Sequence, residues 1–282
     1  MIGQKNLLEI IDKLIEKGFP RFVIITGQKG QGKKTIMKEI SKKLNIPLIL
    51  SNYKVDDIRE IIKLAYEQTE PVIYGIPDCD KMSLGAKNSL LKIIEEPPNN
   101  AYFILTLQQL ENTLSTIKSR CQELKMNNYS IDELESFIDL INKDITENEK
   151  EFLLSNCDNY YEIELINNYG VQDYFKFVRK VVDNIYKVQS ANAFKLTENL
   201  ALKDDSEGYD LNLFFKTFNL ICIDRATLLI ESNNLDEEID FNNYITSIGI
   251  TNTYKDKLNI VGVNKQSLVD MWILDIRKIW RS

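Results

Sequence analysis

The first residues equipped for chemistry are Gly27-Gln28-Lys29-Gly30-Gln31-Gly32-Lys33-Lys34-Thr35. Glycines at 27, 30 and 32 let backbone N–H groups converge on one point, and Lys33 adds a full positive charge. That is the equipment of a loop that cradles phosphate. The pattern G-x-x-x-x-G-K-S/T is met at Gly27, Gly32 and Lys33 and then broken. Lys34 stands where a Ser or Thr hydroxyl would hold Mg²⁺. An ammonium cannot ligate a metal. Thr35 is one residue further on, about 100° round a helix, and does not simply take over.

Such a loop works only between a strand and a helix. The apolar run Arg21-Phe22-Val23-Ile24-Ile25-Thr26 reads as the strand, and the periodicity from Ile36 to Leu44 as the helix. A helix over 5–17 precedes them, with Leu7, Leu8, Ile11, Leu14 and Ile15 on one face and Gly18 as its stop. Further strands are expected over 47–50, 71–76, 101–106 and 122–125. They alternate with helices over 55–67, 84–96 (stopped by Pro97-Pro98) and near 110–119. Apolar strands alternating with helices predict an α/β fold with a parallel sheet covered on both faces.

Past about Asn127 only helical patterns remain, over 131–142, 147–155, 160–167, 171–190, 192–202, 210–231 and 264–280. The span 203–209 reads as a polar loop, and 232–262 carries no clear period. The run from Leu211 to Ile223 is apolar enough for a buried helix or a contact between subunits. Three domains are expected: 1–127 for nucleotide, 128–170 as a small helical part and 171–282 as a second helical part.

The 282 residues carry a net charge of −7, which argues against a protein gripping nucleic acid alone through a broad basic face. No His is present, and the four cysteines are widely separated without a C-x-x-C pair. Zinc ligation and His-based catalysis are therefore not expected. The start of the chain lacks the apolar core of a signal peptide, and no apolar run reaches the ~18 residues of a spanning helix. A soluble cytoplasmic protein with reduced thiols and no membrane partner is expected.

Two further segments make the pattern specific. Asp80-Lys81-Met82-Ser83-Leu84-Gly85-Ala86 runs through Asn88-Ser89-Leu90-Leu91 to Glu95-Glu96-Pro97-Pro98, and Thr116-Ile117-Lys118-Ser119-Arg120-Cys121 follows the fourth strand. Both resemble signatures of the clamp-loader AAA+ proteins, and Ile2-Gly3-Gln4 and Val55-Asp56-Asp57-Ile58-Arg59 are similar to the same family. The likeness is strong over 1–125. Beyond that it rests on the order and helical character of the segments. It implies a RecA-like AAA+ P-loop domain, a helical lid and a C-terminal all-α collar. It also implies a hetero-oligomer with other clamp-loader AAA+ subunits, within a DNA polymerase III holoenzyme, that places a sliding clamp on primed DNA. The collar would supply the oligomer contacts.

The same resemblance assigns roles residue by residue. Arg120 would reach in trans into a neighbouring subunit's ATP site and contact the γ-phosphate. Thr106 would sit at the position of a γ-phosphate sensor, although ordinary strand-end capping accounts for it equally well. The acidic pair expected after the third strand is incomplete. Anchored on Asp80-Lys81-Met82, it puts Pro77 at the metal-binding Asp and Asp78 at the Glu that orients water. A shift of one residue makes Asp78 the metal residue but leaves Cys79 where the Glu belongs. The Arg after a Gly that lids of the family often carry is missing from 156–165.

The candidate nucleotide-binding set is thus Gly27, Gly30, Gly32, Lys33, Lys34, Thr35, Asp78 and Thr106, with no metal-ligating residue assigned. ATP or ADP binding is expected to be weak or vestigial, with Lys34 either standing in the metal's place or flanking an empty loop. Hydrolysis by the chain itself is expected to be lost. Two other readings stay open: an active motor-type ATPase subunit, and a non-catalytic scaffold on a degenerate P-loop fold. Glu95-Glu96 reads as a charged helix end, Lys42-Lys43 as a solvated face, and Tyr160-Tyr161, Tyr174, Phe175 and Phe177 as core.

Overall fold

The computed structural model describes residues 3–110, 113–202, 208–232, 238–258, 260 and 262–281. The chain divides into two compact units: Met1–Phe137 with Asp158–Tyr161, and Ile138–Cys157 with Glu162–Ser282. In the first, chain order is α1 (Lys5–Glu16), β1 (Phe22–Thr26), α2 (Lys33–Leu44), β2 (Leu48–Leu50), α3 (Val55–Glu67) and β3 (Val72–Ile76). A 3₁₀ turn at Cys79–Lys81 follows, then α4 (Leu84–Glu95), β4 (Ala101–Leu107), α5 (Ser115–Lys118), β5 (Gln122–Lys125) and the start of α6 (Ile131–Ile141). The five strands form one sheet in the order β2-β3-β4-β1-β5, every pairing parallel.

Period-2 alternation divides the apolar residues between two cores. Phe22, Ile24, Val72, Tyr74, Phe103 and Leu105 point to one face, where Ile58 and Ile61 of α3 and Leu90 and Ile93 of α4 cover them. Val23, Ile25, Ile73 and Ile104 point to the other, against Leu7 and Ile11 of α1 and Ile36 and Ile40 of α2. All of Phe22 to Ile25 is buried. At about 1.5–3 kcal/mol per buried apolar side chain, β1 is held far more firmly than the loop it delivers.

Covering of both faces holds at the centre and fails at one edge. β2 leaves Ile49 39% and Leu50 47% exposed, because a three-residue edge strand has a neighbour on one side only. The segment near 110–119 forms only one short helix, α5, and positions 111 and 112 of that expectation lie outside the described residues, as does Ile2 of the N-terminal signature.

The second unit carries α7 (Glu147–Asn156), α8 (Tyr160–Tyr169, from Glu162 on), α9 (Val171–Asn184), α10 (Ser190–Lys195), β6 (Leu200–Ala201), β7 (Tyr209–Asp210), α11 (Leu211–Ser232), α12 (Glu238–Lys257) and α13 (Lys265–Ile279). Leu211, Leu213, Phe214, Phe215, Phe218, Ile221 and Cys222 are buried within the chain, while Ile223 is exposed. The apolar run on α11 is therefore core, organised around buried Trp272, whose ring meets Phe214, Phe215 and Phe218 at 5.0–5.6 Å.

Three sequence expectations need correction here. α9 stops at Asn184 rather than reaching 190. The helix over 192–202 is the short α10 followed by β6, whose pairing with β7 turns residues 200–201 and 209–210 into a small parallel ladder. Of the polar loop over 203–209, positions 203–207 lie outside the described residues. The unreadable 232–262 segment contains the long α12.

Candidate functional site

Buried β1 ends at the loop, and α2 begins at Lys33 with Gly32 as its N-cap. The backbone there demands glycine. Gly30 and Gly32 have φ of 87° and 90°, a region costly for residues with a Cβ. A Cβ on Gly30 would also run into Asn159 and Tyr161. The first N–H groups of α2 have no partner within the helix and carry the positive end of its dipole. Phosphate oxygens fit such a nest.

The loop's own groups are bonded to one another. Lys33 Nζ donates to the carbonyls of Gly27 and, at 2.7 Å, Gln28. Burial pulls its ammonium below the ordinary lysine value, while the charges of Asp80 and Asp78 act in the opposite sense. Gln31 is 3% exposed. Its Oε1 accepts the Gln28 N–H at 2.7 Å, and its Nε2 donates to Asn128 Oδ1 at 3.0 Å. Tyr129 returns a hydroxyl bond to the Gln31 carbonyl at 2.7 Å. The following connector is tied from its other side by Gln4, which donates to the Asn127 carbonyl at 2.7 Å and accepts the Asn127 N–H at 2.9 Å.

Asp78 follows β3 in the left-handed region, with φ 56°. Its N–H donates to Thr106 Oγ1 at 3.0 Å, so this buried hydroxyl of β4 holds the loop that carries Asp78. The Asp80 carboxylate accepts the Gln108 N–H at 2.8 and 3.0 Å. Gly27, Gly30, Gly32, Lys33, Asp78 and Thr106 thus gather at the C-terminal end of the sheet. Lys34 and Thr35 sit exposed on the first turn of α2. Pro77 and Lys34 offer no oxygen donor in their side chains, so the residues present fit phosphate but not the usual loop-bound Mg²⁺. Among the described residues no group of three or more Cys, Asp or Glu is placed to hold a metal ion.

Arg120 stands at the other end. β5 begins at Gln122, opposite Val23, so Arg120 lies at the N-terminal edge of the strands. Its Nη1 donates to the Thr116 carbonyl at 3.0 Å and to Ser119 Oγ at 3.4 Å, and its Nη2 meets Glu95 Oε1 at 3.2 Å. Glu95, read from sequence as part of a charged helix end, is a partner of this arginine. The residues that sequence reasoning missed are Gln31, Asn128, Tyr129 and Asn159. Each acts through a contact distant in the chain, and no local pattern marks it.

Residues 11–130 match the family model described as DNA polymerase III, delta subunit. A DNA polymerase III subunit gamma from Buchnera aphidicola subsp. Schizaphis graminum is 28% identical over 170 residues, covering 49% of this chain and 47% of that protein. A DNA polymerase III subunit delta' from Buchnera aphidicola subsp. Baizongia pistaciae is 43% identical over 70 residues, 24% of this chain and 21% of that protein. The chain thus spans about half or less of the length of these relatives. A gamma subunit-related protein from Thermotoga maritima superposes with a TM-score of 0.57 at 18% identity, covering 96% of this chain and 99% of that one, a likeness of fold. With the P-loop, the two signature segments and the parallel β2-β3-β4-β1-β5 sheet in place, residues 11–130 are similar to the corresponding part of DNA polymerase III clamp-loader subunits, delta' among them.

Proposed function

We propose that the chain is a subunit of a DNA replication clamp loader that contributes to ATP hydrolysis across an interface, by lending Arg120 to a neighbouring AAA+ subunit, and hydrolyses little or no ATP itself. One observation carries this reading. Five residues of β1 separate the strand end beside Arg120 from the loop, about 17 Å at roughly 3.3 Å per residue. An arginine side chain held at the Thr116 carbonyl does not span that distance, which supports a phosphate partner on another chain rather than in its own loop.

The chain's own loop supports the second half. Its nest and Lys33 suit phosphate, while Pro77 and Lys34 supply nothing for the metal that spreads transition-state charge. Lys34 brings a positive charge to the first turn of α2, where it offsets phosphate charge without a metal. ADP or ATP therefore binds weakly and equally with or without Mg²⁺. The partners are other clamp-loader AAA+ subunits, the sliding clamp and, through the assembly, primed DNA.

The test is reconstitution with a second clamp-loader AAA+ subunit and a clamp. Arg120→Ala should assemble normally and lose stimulated ATP turnover, while Lys33→Ala should change turnover little. ATP turnover by the isolated chain would favour a motor subunit instead, and failure to associate with any such subunit would remove the reading.

A further inference from the structure

The second unit carries a cleft of about 460 Å³ among α7, α9 and α11, within the range of about 300–1,000 Å³ usual for ligand pockets. On α7 it is lined by Phe152 and Asn156, one turn apart, with Glu151 beside them, so one face of that helix is turned to it. Phe175 of α9 and Ile221 and Asp224 of α11 form the other walls, and among the described residues no Lys or Arg contributes to the lining. The Phe152 and Phe175 rings meet at 4.7 Å. Glu151 and Asp224 are exposed, and the basic groups next to them in the chain are engaged elsewhere, Lys150 with Asp139 at 3.5 Å and Arg225 with Asp183 at 2.9 Å. Among the described residues no ion pair holds Glu151 or Asp224. Asn156 is 6% exposed. Its Nδ2 donates to the Phe152 carbonyl at 2.8 Å, while its Oδ1 is buried and receives no hydrogen bond. A buried amide oxygen without a donor is a cost to the fold that an N–H seated against α7 would remove.

We propose that this cleft seats an arginine side chain presented by a partner protein. Glu151 and Asp224 bring negative charge from two different helices, which attracts a cation and repels the phosphates of nucleic acid. The lining thus offers acceptors in want of donors, and aromatic faces beside them. A guanidinium answers both, since it carries five N–H donors in a plane that stacks on aromatic rings. A lysine ammonium is compact and strongly hydrated, and matches the aromatic walls less well. Beyond the guanidinium and its stem, Ile221 leaves apolar wall for the residue next to the arginine, which favours a polypeptide over a small free cation. The inference goes beyond the role given to Arg120 and does not depend on it.

The test is a titration of the full-length, nitrogen-15-labelled chain with the peptide amide acetyl-Leu-Arg-Leu, followed by NMR. Acetyl-Leu-Lys-Leu and acetyl-Leu-norleucine-Leu amides are the controls, and agmatine is the free guanidinium. The arginine peptide should shift the Asn156 side-chain amide and the backbone of 151–156 and 221–224 saturably, bind more tightly than the lysine peptide, and find no counterpart in the norleucine peptide. Glu151→Gln and Asp224→Asn, at exposed positions where the fold tolerates the change, should each weaken binding about 2- to 5-fold, the scale of an exposed charge pair. The seat is wrong if the arginine peptide gives no saturable shifts, if its shifts lie away from these segments, or if neither carboxylate variant weakens it. Equal affinity for the lysine or norleucine peptide removes the assignment to arginine. Agmatine binding as tightly as the arginine peptide overturns the partner protein in favour of a small-molecule cation.

Discussion

Gln31 offers the most direct probe of how the P-loop is held. Gln31→Leu keeps most of the buried volume and removes both bonds of the side-chain amide, to the Gln28 N–H at 2.7 Å and to Asn128 at 3.0 Å. Gln28 and Asn128 are exposed residues, so water re-solvates the groups left behind and the full penalty of a buried orphan does not apply. Two net hydrogen bonds remain as the loss, about 0.5–1.5 kcal/mol each, or about 1–3 kcal/mol together. Local opening should then become about 5- to 160-fold more frequent. Tryptophan fluorescence cannot report this, because Trp272 and Trp280 both lie in the second unit. Amide hydrogen exchange followed by mass spectrometry can. Peptides covering 27–33 and 127–130 should lose protection together, with α11 unchanged. If the loop loosens while 127–130 keeps its protection, Gln31 is not the link between them, and the argument from its two bonds fails.

Gly30→Ala should destabilise the first unit by at least about 1–3 kcal/mol from the positive φ alone, before displacement of Asn159 and Tyr161 is added; hydrogen exchange across β1 and α2 measures it. Trp272→Ala should cost about 3–5 kcal/mol in urea unfolding followed by far-UV circular dichroism, since a fully buried ring packed on three phenylalanines is removed. Burial pushes the Cys121 thiol up to about 12, and those of Cys79 and Cys222 are raised as well. The folded chain therefore holds protons that the unfolded chain releases above about pH 8.5, and stability should fall as pH rises from there toward 12. Iodoacetamide at pH 8 should label these thiols far more slowly in the native protein than in urea, and equal rates would contradict the burial.

How far the sequence could be read follows from where its signals lie. β1, β3 and β4 were legible because each is a buried apolar run, and Pro97-Pro98 marked the end of α4. α12 was not. Its buried positions are Tyr244, Ser247, Thr251 and Tyr254, spaced for one helical face but written in hydroxyl-bearing residues rather than Leu or Ile. Thr251 and Ser247 repay their burial by accepting the indole N–H groups of Trp272 and Trp280, at 2.9 and 3.0 Å. No single-sequence period reveals that partnership. The β6–β7 ladder was missed for a related reason, since strands of two residues carry no period. At the site, Gly27, Gly30, Gly32 and Lys33 announced themselves by spacing, and Arg120 by the segment around it. Gln31 and Tyr129 did not, because nothing near them in the chain tells a tether from an ordinary polar residue.

On the proposed function, this chain acts on a neighbour's nucleotide and not on its own. Single-turnover ATP hydrolysis by the reconstituted assembly, with wild-type chain or Arg120→Ala, tests it most directly. Hydrolysis at the one site facing this subunit should slow by about 10³-fold or more, the scale of an arginine finger, with assembly intact. Unchanged hydrolysis at every site in the Arg120→Ala assembly would contradict it.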